Sequence, residues 1–205
     1  MTLVAVLDYG IGNLRSAQKA LQRVGADARL TADPAVVRDA AGVVLPGVGN
    51  FGRCMAALRA SGLDELAVAA VEADRPFLGI CVGMQLLYEA SEESPGVAGL
   101  GLLPGTVRWL PDTVKRPQMQ WNVLDVVRPA AMFTGLDHPT WVYFVHSFAG
   151  EATSDVVATC DYGGPVTAAV ERGRLWATQF HPEKSAHNGL RLLANFVAAA
   201  EAAGP

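Results

Sequence analysis

Cysteine is scarce in this chain. Three of its 205 residues are cysteines, Cys54, Cys81 and Cys160. An odd number without a C-x-x-C pair argues against a disulfide framework and against a cysteine zinc centre. A reducing cytoplasm is therefore the expected compartment. No excess of positive charge is present either. Sixteen Lys and Arg stand against twenty Asp and Glu, a net charge of −4, and no segment is strongly basic, so nucleic acid is not expected as a main partner. Charged residues make up only 18% of the chain and hydrophobic ones 51%, which places it among globular rather than disordered proteins. No apolar run approaches membrane-spanning length. Residues Met1 to Asp8 lack a basic region and carry too short an apolar run for a secretory signal. The four histidines and three cysteines lack ligand spacing, so no metal is expected.

What is present is an alternation of apolar strands and amphipathic helices. Leu3 to Leu7 read as a strand covered on both faces. A helix follows with Leu14, Ala17, Leu21 and Val24 on one face and Gly25 as its stop. Ala28 to Thr31 and Gly42 to Leu45 read as further strands, with helices near Arg53 to Ala60 and Leu63 to Ala73. The first loop holds Gly10 and Gly12, but Arg15 stands where a dinucleotide loop needs its third glycine. After Ser91 short β-like runs predominate, from Leu100 to Thr178, and a last helix begins near Ser185. The whole reads as one α/β domain over 1–205. Its central, mostly parallel sheet is flanked by helices, with antiparallel strands added in the C-terminal half.

The stretch Phe77-Leu78-Gly79-Ile80-Cys81-Val82-Gly83-Met84-Gln85 has the layout of a nucleophile elbow. An apolar strand ends in a cysteine with a glycine two residues to either side, and a helix predicted to reach Glu89 follows. A thiol there would stand at a helix N-terminus, which favours a thiolate. A lone cysteine is equally compatible with burial as a small hydrophobe. A nucleophile needs a base, and the base an orienting group. His138 reads as a turn and His187 as exposed, while His146 is compatible with core or site. His181-Pro182-Glu183 sets an imidazole and a carboxylate two residues apart at a strand end, with proline fixing the backbone between them. Backbone N–H groups of Val82 and of the loop Gly47-Val48-Gly49 are candidates for stabilising an oxyanion.

Four motifs in order, Pro46-Gly47-Val48-Gly49, Gly79-Ile80-Cys81-Val82-Gly83-Met84-Gln85, Tyr143-Phe144-Val145-His146-Ser147-Phe148 and Gln179-Phe180-His181-Pro182-Glu183-Lys184-Ser185, resemble the class I (triad-type) glutamine amidotransferases. Within them the chain is most similar to the glutaminase subunits of imidazole glycerol phosphate synthase. The resemblance implies that Cys81 attacks the glutamine amide, His181 shuttles the proton and Glu183 orients it. It implies oxyanion contacts from Val82 and from Gly47, Val48 and Gly49. It also implies substrate contacts from Gln85, Glu93 and the backbone near Ser147 and Phe148. Ammonia would pass to a separate cyclase subunit with a (β/α)8 barrel, whose interface would include Asn13, Met119, Trp121, Tyr143 and Lys184. No cofactor is implied.

Gln118-Met119-Gln120-Trp121-Asn122 departs from the family's usual His-Met-Gly-Trp-Asn. The departure leaves the triad untouched and bears on interface detail in what is read as a loop. A rival within the family is the glutaminase component of anthranilate or aminodeoxychorismate synthase, which typically carries histidine at the Met84 position and rarely lysine after His-Pro-Glu. A cysteine peptidase-like hydrolase would share the elbow but has no need of Gln179 to Glu183.

Overall fold

The computed structural model describes residues 1–204. The first half alternates as the pattern predicts: β1 (Leu3–Leu7), α1 (Leu14–Arg23), β2 (Asp27–Thr31), α2 (Pro34–Asp39), β3 (Gly42–Gly47), α3 (Phe51–Ala60), α4 (Leu63–Glu72) and β4 (Phe77–Cys81). Local chemistry sets the boundaries. Leu14, Ala17, Ala20 and Leu21 form the buried face of α1. The Asp33 carboxylate accepts the Ala35 N–H at 2.8 Å to open α2. The Asn50 side chain accepts the Arg53 N–H at 3.0 Å to open α3. Both are N-cap bonds that satisfy donors the first turn leaves free.

The second half comprises α5 (Val82–Gln85), β5 (Tyr88–Ser91), β6 (Leu103–Trp109), β7 (Gln118–Val123), β8 (Asp125–Val126), β9 (Trp141–His146), β10 (Phe148–Gly150), β11 (Val156–Asp161), β12 (Pro165–Arg172), β13 (Leu175–Thr178) and α6 (Ala186–Ala203). The main sheet runs β2-β1-β3-β4-β13-β12-β11-β8. Its first five strands pair in parallel, and β13-β12-β11-β8 pair antiparallel. From β1 the chain steps outward to β2, then back past β1 to β3. Right-handed crossovers in opposite directions place α1 and α2 on opposite faces of the sheet. Val4 to Leu7, Val43 to Leu45 and Phe77 to Ile80 are consequently apolar on both sides and buried, Gly79 included, which is closed in by Leu87 and the α5 backbone. Two smaller sheets, β10-β6-β5 and β7-β9, complete the fold.

The register of three neighbouring parallel strands creates a single focus. Gly47 at the end of β3 pairs with Cys81 at the end of β4. Ile80 beside it pairs with Thr178 at the end of β13. The loops that leave these three strands therefore emerge together at the carboxyl end of the sheet, where sites form in open α/β folds.

Three segments differ from the sequence reading. The helix after Cys81 is one turn, ending at Gln85 instead of Glu89. Leu86, Leu87 and Tyr88 are all fully buried, so the segment has no polar face. Their carbonyls are not available to a continuing helix: those of Leu86 and Leu87 accept the Leu100 and Leu103 N–H groups at 2.8 Å. The strand expected at Leu100 begins at Leu103 for the same reason. Gln118 to Asn122 is not a loop but part of strand β7, paired along its length with β9.

Close backbone approach explains the second elbow glycine. A Cβ on Gly83 would overlap the Leu45 carbonyl of β3. Gly83→Ala must push α5 off the sheet, and overpacking of this kind costs about 3 kcal/mol. For a chain of this size that lowers the thermal midpoint by roughly 6–12 °C. Differential scanning calorimetry of Gly83→Ala is expected to show such a drop, and an unchanged midpoint would mean that α5 is not held by this contact.

Candidate active site

Cys81 ends β4 with φ 55° and ψ −112°. An L-residue rarely adopts this backbone, which glycine visits freely. The turn aims the thiol into a cavity of about 270 Å³ lined by Val48, Gly49, Cys81, Val82, Gln85, Glu93, Pro117, Val145, His146, Ser147, Phe148 and His181. Glu183 lies behind His181 and outside this lining.

His181 follows β13 through Gln179 and Phe180, and its backbone is fixed from two directions. Its N–H donates to the Tyr143 carbonyl at 3.0 Å, and its carbonyl accepts the Ser185 hydroxyl at 2.6 Å. The imidazole is buried. Its Nδ1 lies 2.8 Å from Glu183 Oε1, while Nε2 makes no hydrogen bond. Burial alone would lower its pKa. The Cys81 thiol beside it and the Glu183 carboxylate on Nδ1 more than reverse this and raise it to about 10. Nε2 thus has the thiol as an influential neighbour with no bond fixed at rest. A ring that binds a proton this strongly is a ready acceptor for the one a neighbouring thiol would lose.

The candidate oxyanion loop is held from behind. The Tyr9 hydroxyl donates to the Pro46 carbonyl at 2.6 Å, and the Cys54 thiol donates to the Val48 carbonyl at 3.4 Å. Burial raises the pKa of both donors and keeps them protonated. A Cβ at Gly47 would press on Tyr9 Oη and the Gly83 nitrogen at 2.8 Å. Gly49 adopts φ +93°. Val82 is the first residue of α5, where N–H groups have no partner within the helix. With only four residues in α5, the dipole at Cys81 is much smaller than the sequence reading supposed.

The pocket wall opposite the elbow is a polar network. Gln85 is buried, and its amide donates to both the Phe148 carbonyl and Gln179 Oε1 at 3.0 Å. His146 Nδ1 donates to the same Phe148 carbonyl at 2.8 Å. Burial, against that bond, lowers the His146 pKa to about 4, so the ring is neutral. Its single hydrogen is then on Nδ1 and Nε2 can only accept, so the Gln118 amide must turn its NH2, and not Oε1, to Nε2 at 2.9 Å. Gln118 in turn lies 3.8 Å from Cys160 Sγ. The departure at Gln118 therefore belongs to this buried network and not to the surface. The Ser147 carbonyl accepts the Leu110 N–H at 2.9 Å. Both carbonyls of Ser147 and Phe148 are used by the protein, which leaves N–H groups and the Ser147 hydroxyl for a ligand. Glu93 Oε2 accepts the Phe51 N–H at 2.6 Å, so one carboxylate oxygen secures α3 at the cavity rim.

The five residues assigned to an interface lie apart from this pocket's floor. Met119 and Trp121 on β7 are 62% and 45% exposed. Trp121 meets the half-buried Tyr143 of β9 edge to face at 6.0 Å, so neither ring is core. Trp141, which the motifs did not single out, is 48% exposed on the same face. Its spacing of two from Tyr143 was the available signal. Lys184 is exposed, and the half-buried Asn13 side chain accepts the Ser16 hydroxyl at 2.8 Å. Gln179 has no role of its own in the motif that contains it, yet its amide Nε2 lies 3.7 Å from Cys81 Sγ. Cys54 and Tyr9 behind the loop also went unassigned.

The family description "Glutamine amidotransferase class-I" matches residues 5–200. The "Imidazole glycerol phosphate synthase subunit HisH" of Syntrophotalea carbinolica is 50% identical over 203 residues, spanning 95% of this chain and 98% of the relative. The protein of the same name from Acinetobacter baylyi is 48% identical over 202 residues, spanning 96% and 98%. Solved structures share the fold at lower identity. One titled "Crystal structure of glutamine amidotransferase" superposes with a TM-score of 0.76 at 22% identity, covering 97% of this chain and 98% of that one. Another, "Structure of PurLQS from Thermotoga maritima", gives 0.75 at 20%, covering 96% and 98%. The chain belongs to the class-I glutamine amidotransferases, in the family of the HisH subunits of imidazole glycerol phosphate synthase.

Proposed function

We propose that this chain hydrolyses glutamine to glutamate and ammonia through Cys81, His181 and Glu183, and delivers the ammonia to a cyclase subunit that makes imidazole glycerol phosphate and an aminoimidazole carboxamide ribonucleotide. The observation that carries the reading is the shared register of β3, β4 and β13, which gathers the glycine loop, the thiol and the imidazole around one cavity. His181 Nε2 takes the Cys81 proton, and the thiolate attacks the side-chain amide carbon of the substrate. Negative charge then develops on the amide oxygen, where the Val82 N–H and the Gly47 to Gly49 loop stabilise it. His181, held by Glu183, returns the proton to the leaving nitrogen, and ammonia departs. Water activated by the same imidazole cleaves the thioester. Gln85 offers its remaining Oε1 to the substrate, and Glu93, Ser147 and Phe148 contribute at the rim.

The partner surface in this reading is the exposed face of β7 and β9 with Met119, Trp121, Trp141 and Tyr143, flanked by Asn13 and Lys184. The partner is a (β/α)8 barrel. Tyr143 gives the surface a direct line to the base: its N–H donates to Ser185 Oγ at 3.0 Å while its carbonyl holds the His181 N–H. Docking that shifts β9 shifts the turn carrying His181. Ammonia release from glutamine, measured with and without a histidine-pathway cyclase and its nucleotide, is expected to be slow alone. It should rise about 5–150-fold in the complex, the usual span of coupling between sites. Trp121→Arg should weaken complex formation and remove the rise while sparing the basal rate. Absence of glutamine-dependent ammonia in both states would refute the activity, and full activity in the isolated chain would refute the coupling.

A further inference from the structure

We propose that Gln179 is a catalytic residue whose side-chain amide donates a hydrogen bond to Cys81 Sγ and stabilises the sulfur once its proton has left. The inference rests on the reading of Cys81 as the nucleophile. It follows from a chain of bonds whose direction is set at one end by a group that can only accept. The Phe148 carbonyl must receive hydrogen, so Gln85 presents its NH2 there at 3.0 Å. The second hydrogen of that NH2 goes to Gln179 at 3.0 Å, which must therefore present its oxygen. Gln179 is left with its own NH2 on the other side, 3.7 Å from Sγ. The assignment of both amides follows from a backbone carbonyl that cannot be turned around.

Gln179 is wholly buried and Gln85 nearly so, so no water competes for these bonds. The Gln179 backbone N–H donates to the Ala168 carbonyl at 2.8 Å, which anchors the side chain's base on β12. Around the sulfur, the Val145 carbonyl stands at 4.0 Å and suits the protonated thiol. The Gln179 N–H suits the ionised one. When the S–H bond breaks, the proton goes to His181 Nε2, the electron pair stays on sulfur, and the sulfur exchanges an acceptor neighbour for a donor. No other reactant is needed. Such a donor is required because the one-turn α5 brings little dipole to the elbow. The same bonds join the pocket wall at Phe148 to the nucleophile.

Site-resolved alkylation of the full chain by iodoacetamide across pH, read as modification of the Cys81 peptide by mass spectrometry, tests this without glutamine turnover. Gln179→Met removes the donor at similar size, and Gln179→Glu keeps the shape but replaces the donor with a carboxylate. Both should raise the midpoint of Cys81 alkylation by about one pH unit or more and lower kcat with KM little changed. Circular dichroism identifies the variants that fold. If Gln179→Met does not, Gln179→Glu decides, and Gln179→Asn, which keeps an amide but withdraws it by one methylene, supplies a further arm. A wild-type midpoint in the folded variants overturns the role of Gln179 alone. A wild-type Cys81 that resists alkylation throughout overturns the nucleophile reading and this inference with it.

Discussion

Cys81→Ala is expected to abolish glutamine hydrolysis, by on the order of 10⁴-fold or more, as loss of a triad nucleophile does. The fold should persist, because the thiol's hydrogen-bond contacts are the long ones to Gln179 and to the Val145 carbonyl, and the backbone of the neighbouring His181 is held independently by Tyr143 and Ser185. A comparison with Cys81→Gly sharpens the test. At φ 55° and ψ −112° any residue with a Cβ is strained, and glycine is not. Cys81→Gly should therefore be equally inactive yet more stable than Cys81→Ala by about 1 kcal/mol, a rise of roughly 2–4 °C in thermal midpoint. Ammonia release at the wild-type rate by either variant would sink the mechanism. Equal stability of the two would mean that the elbow stores no strain.

Much of this site was legible because its parts are local in sequence. The elbow at Gly79 to Gly83 and the His181-Pro182-Glu183 turn each announce their backbone by residue type. The alternation through β4 likewise announces a parallel sheet, since its strands are apolar on both faces. What was not legible depends on long-range pairing. Nothing local places β13 beside β4, yet that adjacency alone sets His181 against Cys81. The early end of α5 follows from Leu86 and Leu87 spending their carbonyls on Leu100 and Leu103, a choice made by a segment well downstream. Trp121 and Tyr143 were placed at an interface through the resemblance alone, and only the pairing of β7 with β9 gives them a shared face. Cys54 and Gln179 are small or common residues whose meaning lies wholly in what they touch.

The network behind the pocket links these late-appearing features. Phe148 presents one carbonyl to two donors, His146 and Gln85. Through Gln85 and Gln179 it reaches the sulfur, and through His146 and Gln118 it reaches Cys160. A buried network of this kind is stabilising only when every member is satisfied. Among the described residues the buried side-chain nitrogen and oxygen atoms without a partner are His181 Nε2 and Glu183 Oε2. Unsatisfied capacity is thus confined to the two groups that a proton transfer from Cys81 would engage.

Glu183→Gln tests that confinement, because it keeps the shape and removes the charge. Glu183 accepts from Nδ1 of His181, so the proton that the raised pKa describes is the one on Nε2, taken from the thiol. A glutamine amide can instead donate to Nδ1, which moves the ring hydrogen to Nε2 and blocks that transfer. The rate should fall roughly 10²–10⁴-fold. Stability should change with a definite sign in pH. In the wild type burial lowers the His181 pKa, but Cys81 and Glu183 override it and raise the value to about 10, above the unfolded value near 6.5. A raised histidine stabilises the fold fully below about pH 6.5, and that contribution fades as pH climbs through 10. Removing the carboxylate removes part of it. Glu183→Gln should therefore lag the wild type in thermal midpoint most at pH 6, with the gap closing toward pH 10. A gap that widens with pH, or a variant with undiminished kcat, would show that Glu183 neither charges nor orients the base.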